Sequence, residues 1–160
     1  MLKNLKDSDV EAMCNYRNDP ACNKYQRYDD TTPAYINTLI KKYSSSKFGE
    51  LEEEQHFAVV NNETKIIVGD VTIFYNENDN CFTIGITIAP ENQNKGYAYE
   101  ILSEIIEKLH NKYPKIEFVA LIEKENEKSI NLFKKLGFTE ECYSEKLASY
   151  VYTKYGECNG

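Results

Sequence analysis

Ile84-Gly85-Ile86-Thr87-Ile88-Ala89-Pro90-Glu91-Asn92-Gln93-Asn94-Lys95-Gly96-Tyr97-Ala98 holds two kinds of order with a break between them. Ahead of Pro90 the residues are largely β-branched and read as a strand. Beyond Gly96 the period is helical: Ala98, Ile101, Leu102, Ile105, Ile106 and Leu109 share one face, while Glu100, Glu104, Glu107 and Lys108 take the other. Tyr113-Pro114 ends that helix, and Ile116 to Ile122 is a second strand. A strand, a helix and a strand in succession bring the two strands together in parallel, because the helix must cross the sheet to return the chain. The fold class is therefore α/β.

On the N-terminal side the period is two. His56 to Val60, Lys65 to Tyr75 and Cys81 to Ile88 are β-branched or aromatic runs, separated by Asn61-Asn62 and by Asn76 to Asn80, and predict an antiparallel meander. The first third predicts a short strand and two helices. Asp7 to Asp9 offer caps ahead of Val10, Met13 and Cys14, and Asn18-Asp19-Pro20 stops that run. Thr31-Thr32-Pro33 restarts it, with Ile36, Leu39, Ile40 and Tyr43 on one face. Ala21 to Asp30 reads as a loop, and Ser44 to Ser46 with Glu50 to Glu54 as an exposed connection. On the C-terminal side a helix is expected from about Asn126 to Leu136, with Lys134 and Lys135 in its last turn and Gly137 just past it. Strands around Phe138 to Tyr143 and Leu147 to Tyr155 complete the set.

A length of 160 residues suggests one domain over residues 1–160, and a hydrophobic share of 41% is enough for a core. No window holds 18 consecutive apolar residues and the first four residues open no signal-peptide core, so the expectation is a cytoplasmic protein without membrane contact. The net charge of −7 argues against nucleic acid as the main partner, since phosphate backbones need clustered cations. Cys14, Cys22, Cys81, Cys142 and Cys158 are widely spaced, and His56 and His110 are the only histidines, so no metal site is expected.

Gln93-Asn94-Lys95-Gly96-Tyr97-Ala98 is where the chemistry concentrates. Main-chain N–H groups at a helix start, with the helix dipole behind them, form an anion site of the kind that holds pyrophosphate. Gly96 allows close approach and Ala98 keeps the next turn slim. No Gly-Lys-Ser/Thr follows, so the segment is not a P-loop.

Residues 84–98, followed about thirty residues later by Asn126-Glu127-Lys128-Ser129-Ile130-Asn131-Leu132-Phe133-Lys134-Lys135-Leu136-Gly137-Phe138, resemble the GNAT superfamily of acyl-CoA-dependent N-acetyltransferases. Tyr16-Arg17-Asn18-Asp19-Pro20 and Thr31-Thr32-Pro33 resemble its RimJ/RimL branch. The resemblance implies a mixed, mostly antiparallel seven-stranded sheet, splayed between the fourth and fifth strands, with helices on both faces. It implies acetyl-CoA as cosubstrate, with no metal. Gln93, Asn94, Lys95, Gly96, Tyr97 and Ala98 match the loop that binds the pyrophosphate through main-chain amides. Ile86 and Ile88 fall on the strand whose backbone holds the pantetheine arm, and Asn126 matches the Asn that bonds to it. Read without the resemblance, Asn126 is a helix cap, Ile86 and Ile88 are core residues, and Gly137 is a C-cap.

Two positions depart from the family pattern. The glutamate many members carry just before the Ile-Gly pair is Thr83, which leaves the general base unassigned. The tyrosine that often donates the final proton is Phe133, which lies on the coenzyme-binding stretch but has no proton to give. Ser129 is the substitute catalytic candidate. Acceptor contacts are expected from Tyr25 to Asp30 and from the hairpins around Asn76 to Asn80 and Glu145 to Ser149. Asp29, Asp30 and Glu52 to Glu54 would favour a cationic acceptor. His56 is a possible base, though a lone His at a strand start is more often structural. The function expected is acetyl transfer to a primary amine by direct attack in a ternary complex, on a protein N-terminal α-amine or on a small amine, by a monomer or homodimer. The alternative is an acyl-CoA-binding sensor with little or no catalysis.

Overall fold

A computed structural model describes residues 1–24 and 32–156. The elements run β1 (Leu2–Asn4), α1 (Val10–Arg17), α2 (Pro20–Asn23), α3 (Pro33–Tyr43), β2 (Glu54–Val60), β3 (Ile67–Asn76), β4 (Cys81–Ile88), α4 (Tyr97–Lys112), β5 (Glu117–Ile122), α5 (Glu127–Lys135), β6 (Thr139–Ser144) and β7 (Ser149–Lys154). The strands form one sheet in the order β1-β2-β3-β4-β5-β7-β6. Every neighbouring pair is antiparallel except β4 and β5, the pair joined through α4.

That parallel pairing is short. Cys81, Phe82 and Thr83 register against Glu117, Phe118 and Val119, whereas β4 continues to Ile88 and β5 to Ile122. Past Thr83 the two strands part, and the sheet opens between them as the motif resemblance implies.

Alternation along the strands builds a core on each face of the sheet. Phe57 and Val59 point to the side where Ile101, Leu102, Ile105, Ile106 and Leu109 of α4 and Phe133 of α5 pack. Ala58 and Val60 point to the side where Met13 and Cys14 of α1 and Ile36 and Ile40 of α3 pack. Both faces of β2 are covered, so every residue from Gln55 to Val60 is buried. The five aliphatic side chains of α4 are at most 3% exposed. Each contributes about 1.5–3 kcal/mol before chain entropy is set against it. That stripe fixes the start of α4 next to the end of β4. No described helix is long and apolar enough to cross a membrane.

The structure corrects the first third. Pro20–Asn23 is a short helix rather than the start of a loop, because Asp19 accepts a hydrogen bond from the Ala21 amide at 2.9 Å with Pro20 in the first turn. Asn18-Asp19-Pro20 does stop α1 at Arg17, and the same Asp-Pro pair is also a cap followed by the residue best suited to open the next helix. The remainder of the expected loop, Tyr25 to Asp30, lies outside the described residues. Thr32 caps α3 through Tyr35 N at 3.3 Å. Glu54 belongs to β2 rather than to an exposed connection, and Ser46 is buried. β3 starts at Ile67 rather than Lys65, since the Asn61 carboxamide accepts from Glu63 N and Thr64 N and holds that segment as a turn.

Candidate functional site

A groove of about 840 Å³ opens where β4 ends, between the first turns of α4 and α5, with α2 as a further wall. Its lining includes Ile86, Thr87 and Ile88 of β4, Gln93, Asn94, Gly96, Tyr97 and Ala98 of the loop and helix start, and Asn126, Ser129 and Leu132 of the second half. Of the residues singled out in the sequence, Lys95 and Phe133 are not in this lining. Lys95 is exposed on the loop. Phe133 is 5% exposed and packs edge-to-face on Phe138 at 5.0 Å.

The loop conformation explains its residues. Asn94 and Gly96 both have positive φ, 63° and 85°, and at Gly96 nothing lies within 4 Å of where a Cβ would sit. Gly96 occupies the cap position of the 16-residue α4 and has no side chain to cap it. The first amides of the helix, which have no partner within it, are therefore left to whatever enters the groove. Gln93 is tied elsewhere: its Nε2 donates to the Ile88 carbonyl at 2.9 Å. The Cys22 thiol donates to the same carbonyl at 3.2 Å. Burial, reinforced by Asp19, Asp70 and Glu91, pushes the Cys22 thiol up to about 11, so it stays protonated and is a poor nucleophile.

Asn126 does cap α5, its Oδ1 accepting from Ser129 N at 3.3 Å. The same side chain lines the groove, so capping and ligand contact are compatible here.

Behind the groove wall lies a buried polar cluster that sequence reasoning missed. Asp70 of β3 accepts from Arg17 Nη2 at 2.7 Å, pairs with His56 Nε2 at 2.7 Å and accepts from the Tyr16 hydroxyl. Asp70, His56 and Arg17 are each no more than 4% exposed. Burial alone would raise the Asp70 carboxyl, but the Arg17 charge and the His56 bond outweigh it and hold the group well below the usual carboxylate range. His56 thus acts as a partner of Asp70 under α1, the structural role that the sequence favours for it over that of a base.

The groove also gathers cations that composition hides. Lys24, Lys128 and Lys135 line it, in a chain of net charge −7. Lys128, Leu132 and Lys135 repeat at i, i+4 and i+7 on α5, a spacing visible in the sequence but read there only for its last-turn lysines.

The acetyltransferase (GNAT) domain model matches residues 1–139, and the chain belongs to that family. An N-acetyltransferase 9-like protein from Nematostella vectensis is 38% identical over 92 residues, covering 53% of this chain and 44% of the relative. This chain therefore matches less than half the length of that relative. Spermidine N-acetyltransferase from Vibrio cholerae, solved with CoA and spermine, superposes with a TM-score of 0.74 at 21% identity, covering 96% of this chain and 92% of that one. A protein from Vibrio cholerae provisionally assigned as a ribosomal-protein-serine acetyltransferase superposes with a TM-score of 0.78 at 18% identity, over 96% and 91%. Both likenesses are of fold.

Proposed function

We propose that this chain transfers an acetyl group from acetyl-CoA to a primary amine within a ternary complex. The observation that carries the reading is the α4 N-terminus: its first amides are uncapped at Gly96 and face a groove that Asn126 and three lysines also line. The residues present fit an elongated ligand with an anionic middle. Main-chain amides of Tyr97 and Ala98 would hold the pyrophosphate, with Lys24, Lys128 and Lys135 adding countercharge and Asn126 offering its carboxamide to the pantetheine.

The bound thioester supplies an activated acyl carbon and a leaving sulfur. The chain orients the reactants, narrows the approach of the amine, and offers the Ser129 hydroxyl on the groove wall for proton relay. Main-chain N–H groups of β4 near Ile86 are the candidates for stabilising oxyanion charge. Thr83 and Phe133 lack the proton-handling groups of many relatives, so positioning carries a larger share of the rate. The same two departures support the alternative of a coenzyme-binding sensor.

Thiol release from acetyl-CoA in the presence of an amine panel, run beside calorimetric titration with acetyl-CoA, separates the possibilities. Binding with turnover supports the transferase. Binding without turnover on any amine supports the sensor, and no binding at millimolar acetyl-CoA removes both.

A further inference from the structure

The turn that closes β2 and β3 lies at the end of the sheet where β4 stops. Val60 pairs with Ile67 and Gly69 with Ile88, so the turn and the start of the loop to α4 are neighbours. Asn61 organises this turn. Its main-chain N–H donates to the Ile66 carbonyl at 2.9 Å, and its own carbonyl accepts from Lys65 N at 2.9 Å. Its Oδ1 accepts from Glu63 N at 2.9 Å and from Thr64 N at 3.0 Å. Lys65 has a φ of 62°, a conformation that residues other than glycine seldom adopt, and its bond to Asn61 holds it there. The carboxamide therefore has one orientation, because exchanging its ends would set an NH2 group against two main-chain donors. Nδ2 is left outside the turn, and it donates to the Tyr97 hydroxyl at 2.7 Å.

Tyr97 is the first residue of α4, half-buried, packed against the core and part of the groove lining. The helix makes its first internal bond from Glu100 N to Gly96 O at 3.0 Å, so the amides of Tyr97, Ala98 and Tyr99 find no acceptor within it. Where those amides point depends on how the first turn is rotated about the helix axis. The joint ahead of them does little to fix that rotation. Gly96, at φ 85°, is the residue with the widest backbone freedom, and nothing lies within 4 Å of where its Cβ would be. The hydroxyl of Tyr97 supplies the missing restraint from outside the helix, and its partner Asn61 is 36 residues away in a turn that is itself fixed.

We propose that Asn61 is a positioning residue for the coenzyme: through the Tyr97 hydroxyl it latches the first turn of α4, so that the open amides present one orientation to the pyrophosphate. The inference rests on the coenzyme reading above. Main-chain N–H groups make the contact with the anion, and the latch removes the cost of ordering them when the ligand arrives.

The test is a double-mutant cycle read as acetyl-CoA affinity by titration calorimetry, with a thermal scan of each protein free of ligand. Tyr97→Phe removes the hydroxyl alone and keeps the ring in place, whereas Asn61→Ala removes the donor together with the turn's acceptor. Each should weaken acetyl-CoA binding about fivefold, the effect of one hydrogen bond. The double variant should bind about as well as the weaker single variant, because the second change removes nothing that is left. Tyr97→Phe carries the test by itself should Asn61→Ala not fold. A bond that served stability alone would lower the melting temperature and leave the folded protein's affinity at the wild-type value, and that result overturns the inference. So does a double variant weakened about 25-fold, the product of two independent effects. Failure of the wild type to bind acetyl-CoA overturns the coenzyme reading and the inference together.

Discussion

The side-chain amide of Gln93 reaches back five residues to the main-chain carbonyl of Ile88, 2.9 Å away, and so ties the loop that opens α4 to the last residue of β4. The hydrogen bond sets the spacing between the strand edge and the helix start, the two walls a coenzyme would touch. Gln93→Ala removes it and leaves the carbonyl to the Cys22 thiol alone. A bond of this kind is worth about 1 kcal/mol, so acetyl-CoA affinity should fall roughly fivefold and the melting temperature by about 2–4 °C. Titration calorimetry and a thermal scan check both. Unchanged affinity would mean the spacing is held without Gln93.

Gly96 separates conformation from charge. Its φ of +85° lies in the left-handed region and open space surrounds the missing Cβ, so Gly96→Ala and Gly96→Asp should lose similar stability without ligand, about 1–2 kcal/mol. Acetyl-CoA at one hundred times its dissociation constant should add about 2.7 kcal/mol to the wild type. Gly96→Ala should keep most of that shift and Gly96→Asp should lose it, because only the carboxylate repels a pyrophosphate. Equal shifts in both variants would sink the anion site.

Asn126 is tested by a change that preserves its cap. Asp accepts from Ser129 N as well as Asn does, so Asn126→Asp should leave the melting temperature within a degree or two. The carboxylate lacks the amide donor, and acetyl-CoA affinity should drop about tenfold if that donor is used. Equal affinity in the variant would leave Asn126 with its cap alone.

Asp70 sets an acid limit on stability. Its carboxyl is held below the unfolded value, so the ionised form favours the folded state at every pH above the unfolded pKa of about 3.9. That contribution is lost as pH falls below this value toward the depressed folded pKa. Urea unfolding between pH 3 and pH 6 should show wild-type stability declining at the acid end, and Asp70→Asn should flatten the decline. The variant should also lose about 3–5 kcal/mol at neutral pH, because Arg17 and His56 would keep buried polar atoms without the anion. A variant as stable as wild type at pH 6 would show that the cluster contributes little.

The fold was legible where periodicity is strong and local. The stripe from Ala98 to Leu109 and the alternation of β2 to β4 place a parallel pair inside an antiparallel sheet before any coordinate is known. The α2 turn was not legible, since four residues carry no period and Asp19-Pro20 signals a stop as readily as a start. Of the groove, the loop from Gln93 to Ala98 is legible from its place between a strand and a strong helix, whereas Asn126 and Ser129 come only from what the family resemblance implies. The Asp70 cluster was invisible for a physical reason: Arg17 is 53 residues from Asp70 and Tyr16 is 54, and only the packing of α1 on β3 brings them together.

Ser129 is where proton transfer can be tested within the groove. It is half-buried, sits in the first turn of α5, and lines the same wall as Asn126 and Leu132. Phe133, one turn along, is in the core against Phe138 and carries no proton. A serine hydroxyl is a weak acid, so as a relay to the departing sulfur it should give less than a well-matched acid does. Ser129→Ala should therefore lower kcat about tenfold to a hundredfold, with acetyl-CoA affinity and melting temperature near wild type, since the cap uses the Ser129 amide rather than its hydroxyl. The loss should shrink when the thioester carries a more acidic thiol, because a better leaving group needs less proton donation. If kcat holds within twofold for acetyl-CoA, the thiolate departs without help from this residue, and orientation with main-chain hydrogen bonding carries the reaction.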